Sequence, residues 1–232
     1  LNFWEPWPIT TSIWLVTAAA GGLLLCIPLS RLAFQLPRRL DPTLSREQTA
    51  LHRRYRALFV LLTLLCAIVC AWRFGATPAG VAAILFSVGL LALAWIDAET
   101  GYLPDALTLS LLWLGLLVNV NGTFSALPDA VIGAAAGYVA LWLLNAGFYI
   151  FTHRQGMGRG DFKLLAALGA WLGWMSLPWL LLVASLLALF IALVRRIYGQ
   201  LQAGAPFSFG PYLAVAGIAA LVTLTPPVLR FF

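Results

Sequence analysis

An all-α, polytopic transmembrane helical bundle is the fold this sequence predicts, and three observations predict it. Of its 232 residues, 62% are hydrophobic and 9% charged, whereas soluble domains run at roughly 45–50% apolar and about 25% charged. The mean hydropathy is +0.94. The apolar residues lie in long blocks, broken by Pro, Gly and charge. Inside those blocks no strand-like alternation is seen, which argues for helices and against a barrel.

About eight spans follow from the blocks: residues 10–29, 56–72, 79–96, 105–121, 128–151, 161–175, 177–195 and 210–229. Most approach the ~20 residues that a helix needs to cross hydrocarbon. The sixth is short. Its roughly 15 residues rise about 22 Å, less than the ~30 Å apolar core. Residues 1–78 form a two-span N-terminal region with a basic loop, and residues 79–232 a six-span core. Within the loop, Ser45 and Gln48 have the spacing of a capping box that opens a short basic surface helix. The start, LNFWEPWPITTS, carries no basic stretch ahead of its apolar block, so a cleaved secretory signal is not expected. Trp4 and Trp7 read as interfacial anchors. Gly133 and Gly137 form a GxxxG in span five, suited to close helix packing.

Charge orients the bundle. Arg31, Arg38, Arg39, Arg46, Arg53, Arg54, Arg56, Arg154, Arg159, Lys163, Arg195 and Arg196 fall on one side, and only Arg73 and Arg230 on the other. The positive side is cytoplasmic. Membrane lipids therefore account for the net charge of +6, and no nucleic-acid partner is needed. Cys26, Cys66 and Cys70 read as small core residues. No CxxC pair exists, His52 and His153 lack ligand-spaced partners, and no metal is expected.

The acidic residues are few. Glu5, Asp41, Glu47 and Asp129 lie in loops or flanks. Asp97, Glu99 and Asp105 cluster in IDAETGYLPDALT, and Asp161 opens span six behind GMGRG. Two spans separate Asp97 from Asp161, so an even number of crossings returns the chain to the same face. A carboxylate near hydrocarbon is costly unless it serves a function. Two that share a site cannot both ionise easily, so together they hold one proton. Such a pair can take a proton from water with one member and give one to a scissile carbonyl with the other. The dipole at the start of span six biases Asp161 toward the ionised role.

Gly156, Gly158 and Gly160 would let an extended peptide approach Asp161, because they lack Cβ and tolerate φ > 0. A plain loop with Asp161 as helix cap reads the same spacing equally well. Asp105, after Pro104, reads as a helix-initiating residue. Glu99 reads as a loop residue that could attract a basic substrate segment. Lys163, one turn into span six, would pair with a carboxylate, touch substrate or snorkel to the interface.

Three stretches carry a family resemblance: IDAETGYLPDALTLSLLWLGLLVN, GMGRGDFKLLAALGAWLGW and FSFGPYLAVAG. Together they resemble the bacterial type IV prepilin peptidases, over roughly residues 80–220. The resemblance implies a membrane aspartic endopeptidase of the GxGD type, with Asp97 and Asp161 as its catalytic dyad. It implies a substrate, too: a prepilin or type II secretion pseudopilin, whose short basic leader is removed after a glycine on the cytoplasmic side of the bacterial inner membrane. Proteolysis of this kind needs no cofactor. Many members also methylate the new N-terminus using S-adenosylmethionine. The chain departs from the fuller pattern at its front, where RLAFQLPRRLDPTLSREQTALHRRYRAL replaces a zinc-holding domain with paired CxxC motifs, and GGLLLCIPLS replaces a GSFxNV-type stretch. That departure leaves methyl transfer open. The alternative function is a proton-coupled transporter or channel that relays protons through the same two aspartates.

Overall fold

The computed structural model describes residues 3–40, 50–153, 157–198 and 208–224. Among them are eight α-helices: α1 Thr11–Leu40, α2 Ala50–Phe74, α3 Pro78–Thr100, α4 Asp105–Val118, α5 Leu127–Thr152, α6 Arg159–Leu172, α7 Leu177–Ile197 and α8 Gly210–Leu224. No strand occurs among the described residues. Five helices (α1, α2, α3, α5 and α7) are long and apolar enough to cross a membrane.

Local chemistry sets the helix ends. Thr77 caps α3, accepting the Gly80 N–H at 3.0 Å, and Pro78 takes the first helical position. Gly101, at φ 67°, ends α3 in the left-handed region and returns its N–H to the Asp97 carbonyl. Pro104 and Asp105 start α4. Gly158 precedes α6, and Gly173 follows it.

One span is shorter than the sequence suggests. The sixth was expected to be short, but α4 has 14 residues as well, equal to α6, and each rises only about 21 Å. Asn119 explains the early stop. Its amide donates to the Ala170 and Trp171 carbonyls at 2.9 and 2.8 Å, and its side-chain oxygen accepts the Phe124 and Ser125 N–H groups at 2.9 and 3.1 Å. One buried, fully satisfied side chain thus ties the end of α4 to the end of α6, which avoids the cost of burying a polar group unpaired.

The first helix departs in the opposite sense. It was expected to stop near residue 29, yet α1 continues through Pro28 and Pro37 to Leu40. Proline removes one N–H but leaves a helical φ, so a helix with tertiary support can run through it. Arg38 supplies that support: it bonds the Phe34 carbonyl at 2.9 Å and the Glu99 carboxylate at 3.0 Å. Ser45 and Gln48, the expected capping box, lie outside the described residues.

α3 and α6 form the interior. α3 packs against α1, α2, α4 and α8, and α6 against α4, α5 and α8. Ten of the eleven α6 residues from Asp161 to Trp171, all but Lys163, are buried. A helix that is apolar on all sides belongs inside a bundle, and α3 has that character from Ala79 to Ile96. α5 and α7 lie outside, with large apolar side chains such as Phe151 and Leu189 turned outward. Gly133 and Gly137 face the backbone of α6 at Gly169 and Leu165, which is close packing within the bundle.

Candidate active site

The two aspartates sit on the two interior helices, Asp97 one turn from the end of α3 and Asp161 in the first turn of α6. Both are buried, at 4% and 7% exposure. They line one cavity of about 290 Å³, together with Gly101, Leu103, Asp105, Gly158, Arg159, Gly160 and Lys163. The walls come from α3, the turn after it, the start of α4 and the start of α6. The parity argument is met in space: the two residues share one end of the bundle.

Each carboxylate has its own setting. Asp97 Oδ2 accepts the Gly210 N–H at 2.9 Å, and the Asp97 carbonyl accepts the Ser208 hydroxyl at 2.9 Å. Asp161 lies beside the Gly158 backbone, its own N–H donating to the Gly158 carbonyl at 3.2 Å. Asp161 Oδ1 is buried and accepts no hydrogen bond from the described residues. The cavity thus presents one acid that is held and one that is open on one oxygen.

The glycines act differently from expectation. Gly156 lies outside the described residues. Gly158 has φ −74° and ψ 147°, an extended conformation open to any residue. Gly160 is needed for space: a Cβ there would lie 2.7 Å from the Leu103 Cβ. Both still line the cavity, but neither uses positive φ.

Glu99 is corrected more sharply. It belongs to the last turn of α3, not to a loop. Its carboxylate, 8% exposed, meets Arg38 at 3.0 Å, His52 Nδ1 at 2.9 Å and the Trp95 indole N–H at 2.8 Å. It does not line the dyad cavity. Its hydrogen-bonding capacity is spent fastening α1 and α2 to the end of α3. Glu99→Gln is therefore expected to lower the stability of the lipid-reconstituted protein by roughly 3 kcal/mol, because it strips the charge from a buried cluster. Thermal unfolding in detergent reads the loss.

Lys163 pairs with Asp105, Nζ lying 2.6 Å from each carboxylate oxygen. The pair is partly exposed at the cavity rim, 28% and 55% by side chain. Among the described residues, no group of three His, Cys, Asp or Glu side chains could hold a metal ion.

Sequence reasoning missed Gly101, Ser208 and Gly210 as parts of this site. Gly101 carries a local signal, a glycine just past a helix end. The other two stand in FSFGPYLAVAG, far along the chain, and nothing local couples them to Asp97.

Comparison with known proteins points to one family. Residues 84–193 match the family described as "Type IV leader peptidase family". These residues, just under half of the chain, form its leader peptidase region. The leader peptidase region starts inside α3 and ends inside α7, so it holds both aspartates and the GxGD turn, while α8 lies beyond it. Similar curated proteins bear the name prepilin leader peptidase/N-methyltransferase. That of Neisseria gonorrhoeae is 46% identical over 170 residues, covering 73% of this chain and 58% of the relative. That of Pectobacterium carotovorum subsp. carotovorum is 53% identical over 133 residues, 57% of this chain and 48% of the relative. That of Pseudomonas aeruginosa is 45% identical over 175 residues, 75% of this chain and 60% of the relative. The chain thus spans about half to three-fifths of the length of these relatives. No solved structure gives a significant match.

Proposed function

We propose that this chain is a multi-pass membrane aspartic endopeptidase that removes the short basic leader of a prepilin or pseudopilin after a glycine. The observation that carries the reading is the shared cavity of Asp97 and Asp161 at one end of the bundle. One carboxylate takes a proton from water as the water oxygen attacks the scissile carbonyl. The other gives its proton to the carbonyl oxygen, forming a gem-diol. Collapse of that species breaks the C–N bond as the amine gains a proton, leaving a leader carboxylate and a new N-terminus. The burial of both groups supports a shared proton, since two adjacent carboxylates rarely ionise together. The excess of Lys and Arg on the flanks of the same end supports a cytoplasmic placement in the bacterial inner membrane. The substrate's apolar helix would stay in lipid while its leader stays in water.

Proteolysis here needs no cofactor. The relatives' names also include methyl transfer, for which S-adenosylmethionine would be required. A second cavity of about 240 Å³ is lined by Tyr138, Trp142, Asn145, Met157, Arg159 and Phe162. It has aromatic walls but, among the described residues, no carboxylate for ribose hydroxyls, and the exposed Trp142 on the outward apolar face of α5 forms part of its rim. These residues do not fit the molecule, and the proposal contains no methyl-transfer step.

The test is the full chain in lipid vesicles with a peptide carrying a basic leader, a Gly-Phe junction and an apolar tail. Cleavage after the glycine is expected. Asp105→Ala is expected to keep substantial activity, because a partly exposed ion pair is worth about 1 kcal/mol or less. Absence of cleavage, with a proton flux that depends on both aspartates, would replace the reading by a proton-coupled transporter.

A further inference from the structure

The stretch FSFGPYLAVAG, distant in sequence from both aspartates, is the part of the motif set that the dyad alone leaves unused. Its turn docks on the end of α3 by two hydrogen bonds. The Ser208 hydroxyl donates to the Asp97 carbonyl, which also accepts the Gly101 N–H at 2.8 Å. The Gly210 N–H, at the first residue of α8, donates to Asp97 Oδ2. Fit is as tight as bonding: a Cβ at Gly210 would stand 2.7 Å from Asp97 Oδ2 and 3.0 Å from its Cγ. Only glycine lets the backbone come this close.

We propose that the Ser208–Gly210 turn is a positioning element of the dyad, holding the Asp97 carboxylate so that Asp97 draws the proton from water and Asp161 donates one to the scissile carbonyl. The assignment rests on the peptidase reading and reverses the bias expected from the dipole of span six alone. Asp161 stands in the first turn of α6, whereas Asp97 stands in the last turn of α3 and meets the first N–H of α8, so each acid faces one helix N-terminus. The Gly158 backbone acts on Asp161 as the Gly210 N–H acts on Asp97, and what differs is that Asp161 Oδ1 is left buried with no donor. A hydrogen bond from a backbone N–H favours the charged form of its acceptor. Asp161 Oδ1, buried without a donor, is less costly neutral than charged.

The charged groups around the dyad are few. Asp105 is neutralised by Lys163 at the rim, and Arg159 lines the cavity from the start of α6. Tyr102 lies in the turn after α3. Glu99, Arg38 and His52 form their own cluster, apart from the cavity. α8 carries no charged side chain, and its one titratable group, Tyr212, has Arg195 as its charged neighbour.

The test uses two carboxyl reagents on the full chain in vesicles near neutral pH, with labelled residues mapped by mass spectrometry. In p-nitrophenyl glycidyl ether, an ionised carboxylate oxygen attacks the epoxide carbon, the ring opens, and the alkoxide takes a proton from water. With diphenyldiazomethane, a protonated carboxyl gives its proton to the diazo carbon, nitrogen leaves, and the carboxylate oxygen bonds to that carbon. The epoxide is expected to mark Asp97 and the diazo compound Asp161. Gly210→Ala is expected to lose this preference and to lower kcat about 10²-fold, with KM changed by less than about twofold, as a displaced but non-contacting group would do. Ser208→Ala should weaken the preference and Ser208→Thr restore it, which guards against a Gly210 variant that fails to fold. Reversed or equal labelling, or wild-type labelling in Gly210→Ala and Ser208→Ala, overturns the assignment. The labelling requires no substrate. The expected pattern without peptide cleavage would count against the peptidase reading alone, and cleavage with the reversed pattern against the assignment alone.

Discussion

Asp97→Ala and Asp161→Ala are each expected to lower cleavage of a leader peptide by about 10²–10⁴-fold, the range in which a positioned acid or base contributes. Both side chains line the cavity, and Asp97 makes one side-chain hydrogen bond, from the Gly210 N–H. The variants should therefore keep a cooperative thermal transition while losing turnover. The double variant should be scarcely slower than either single one, since members of one catalytic unit do not contribute additively. Steady-state cleavage of the Gly-Phe peptide by vesicle-bound enzyme measures all three. Full activity in both single variants would end the aspartic mechanism, whatever the family.

Gly133→Ala is expected to destabilise the fold strongly. The Cβ it adds would lie 2.5 Å from the Gly169 carbonyl oxygen and 2.8 Å from the Trp174 nitrogen. Those are backbone atoms, which cannot swing aside like the end of a side chain. Overpacking costs typically 1–3 kcal/mol, and here about 3 kcal/mol or more is expected because two helix backbones must part. Gly147→Ala, on the same helix, meets nothing within 4 Å and should be neutral or stabilising by up to about 1 kcal/mol. Unfolding temperatures of the two variants in one detergent make the comparison. Equal temperatures would show that α5 and α6 do not pack as closely as described. Loss of the contact would also reach the site, because α6 carries Asp161.

The cavity was legible in part. Asp97 and Asp161 stood out because charge is rare in so apolar a chain, and counting the crossings between them placed both at one end. Pairing with a carboxylate was one of three readings of Lys163, beside substrate contact and snorkelling, and the structure pairs it with Asp105. Glu99 was misread because a sequence cannot tell that Arg38, His52 and Trp95 converge on the last turn of α3. The glycines before Asp161 were credited with unusual backbone angles that Gly158 does not use. The glycines that matter most to the acids were overlooked: Gly101, which closes α3 just past Asp97, and Gly210, which arrives from the last described helix.

By itself the sequence determined that the chain is helical, that it crosses a membrane several times, and that it brings two scarce carboxylates to one face. Those properties follow from composition, block length and parity, which are additive along the chain and need no knowledge of packing. Only the tertiary structure decided where α1 and α4 end, which helices lie innermost, and what holds each acid. These outcomes depend on contacts between residues up to 113 positions apart, such as Gly210 with Asp97. A hydrogen bond or a backbone contact of that kind exists only once the helices have packed.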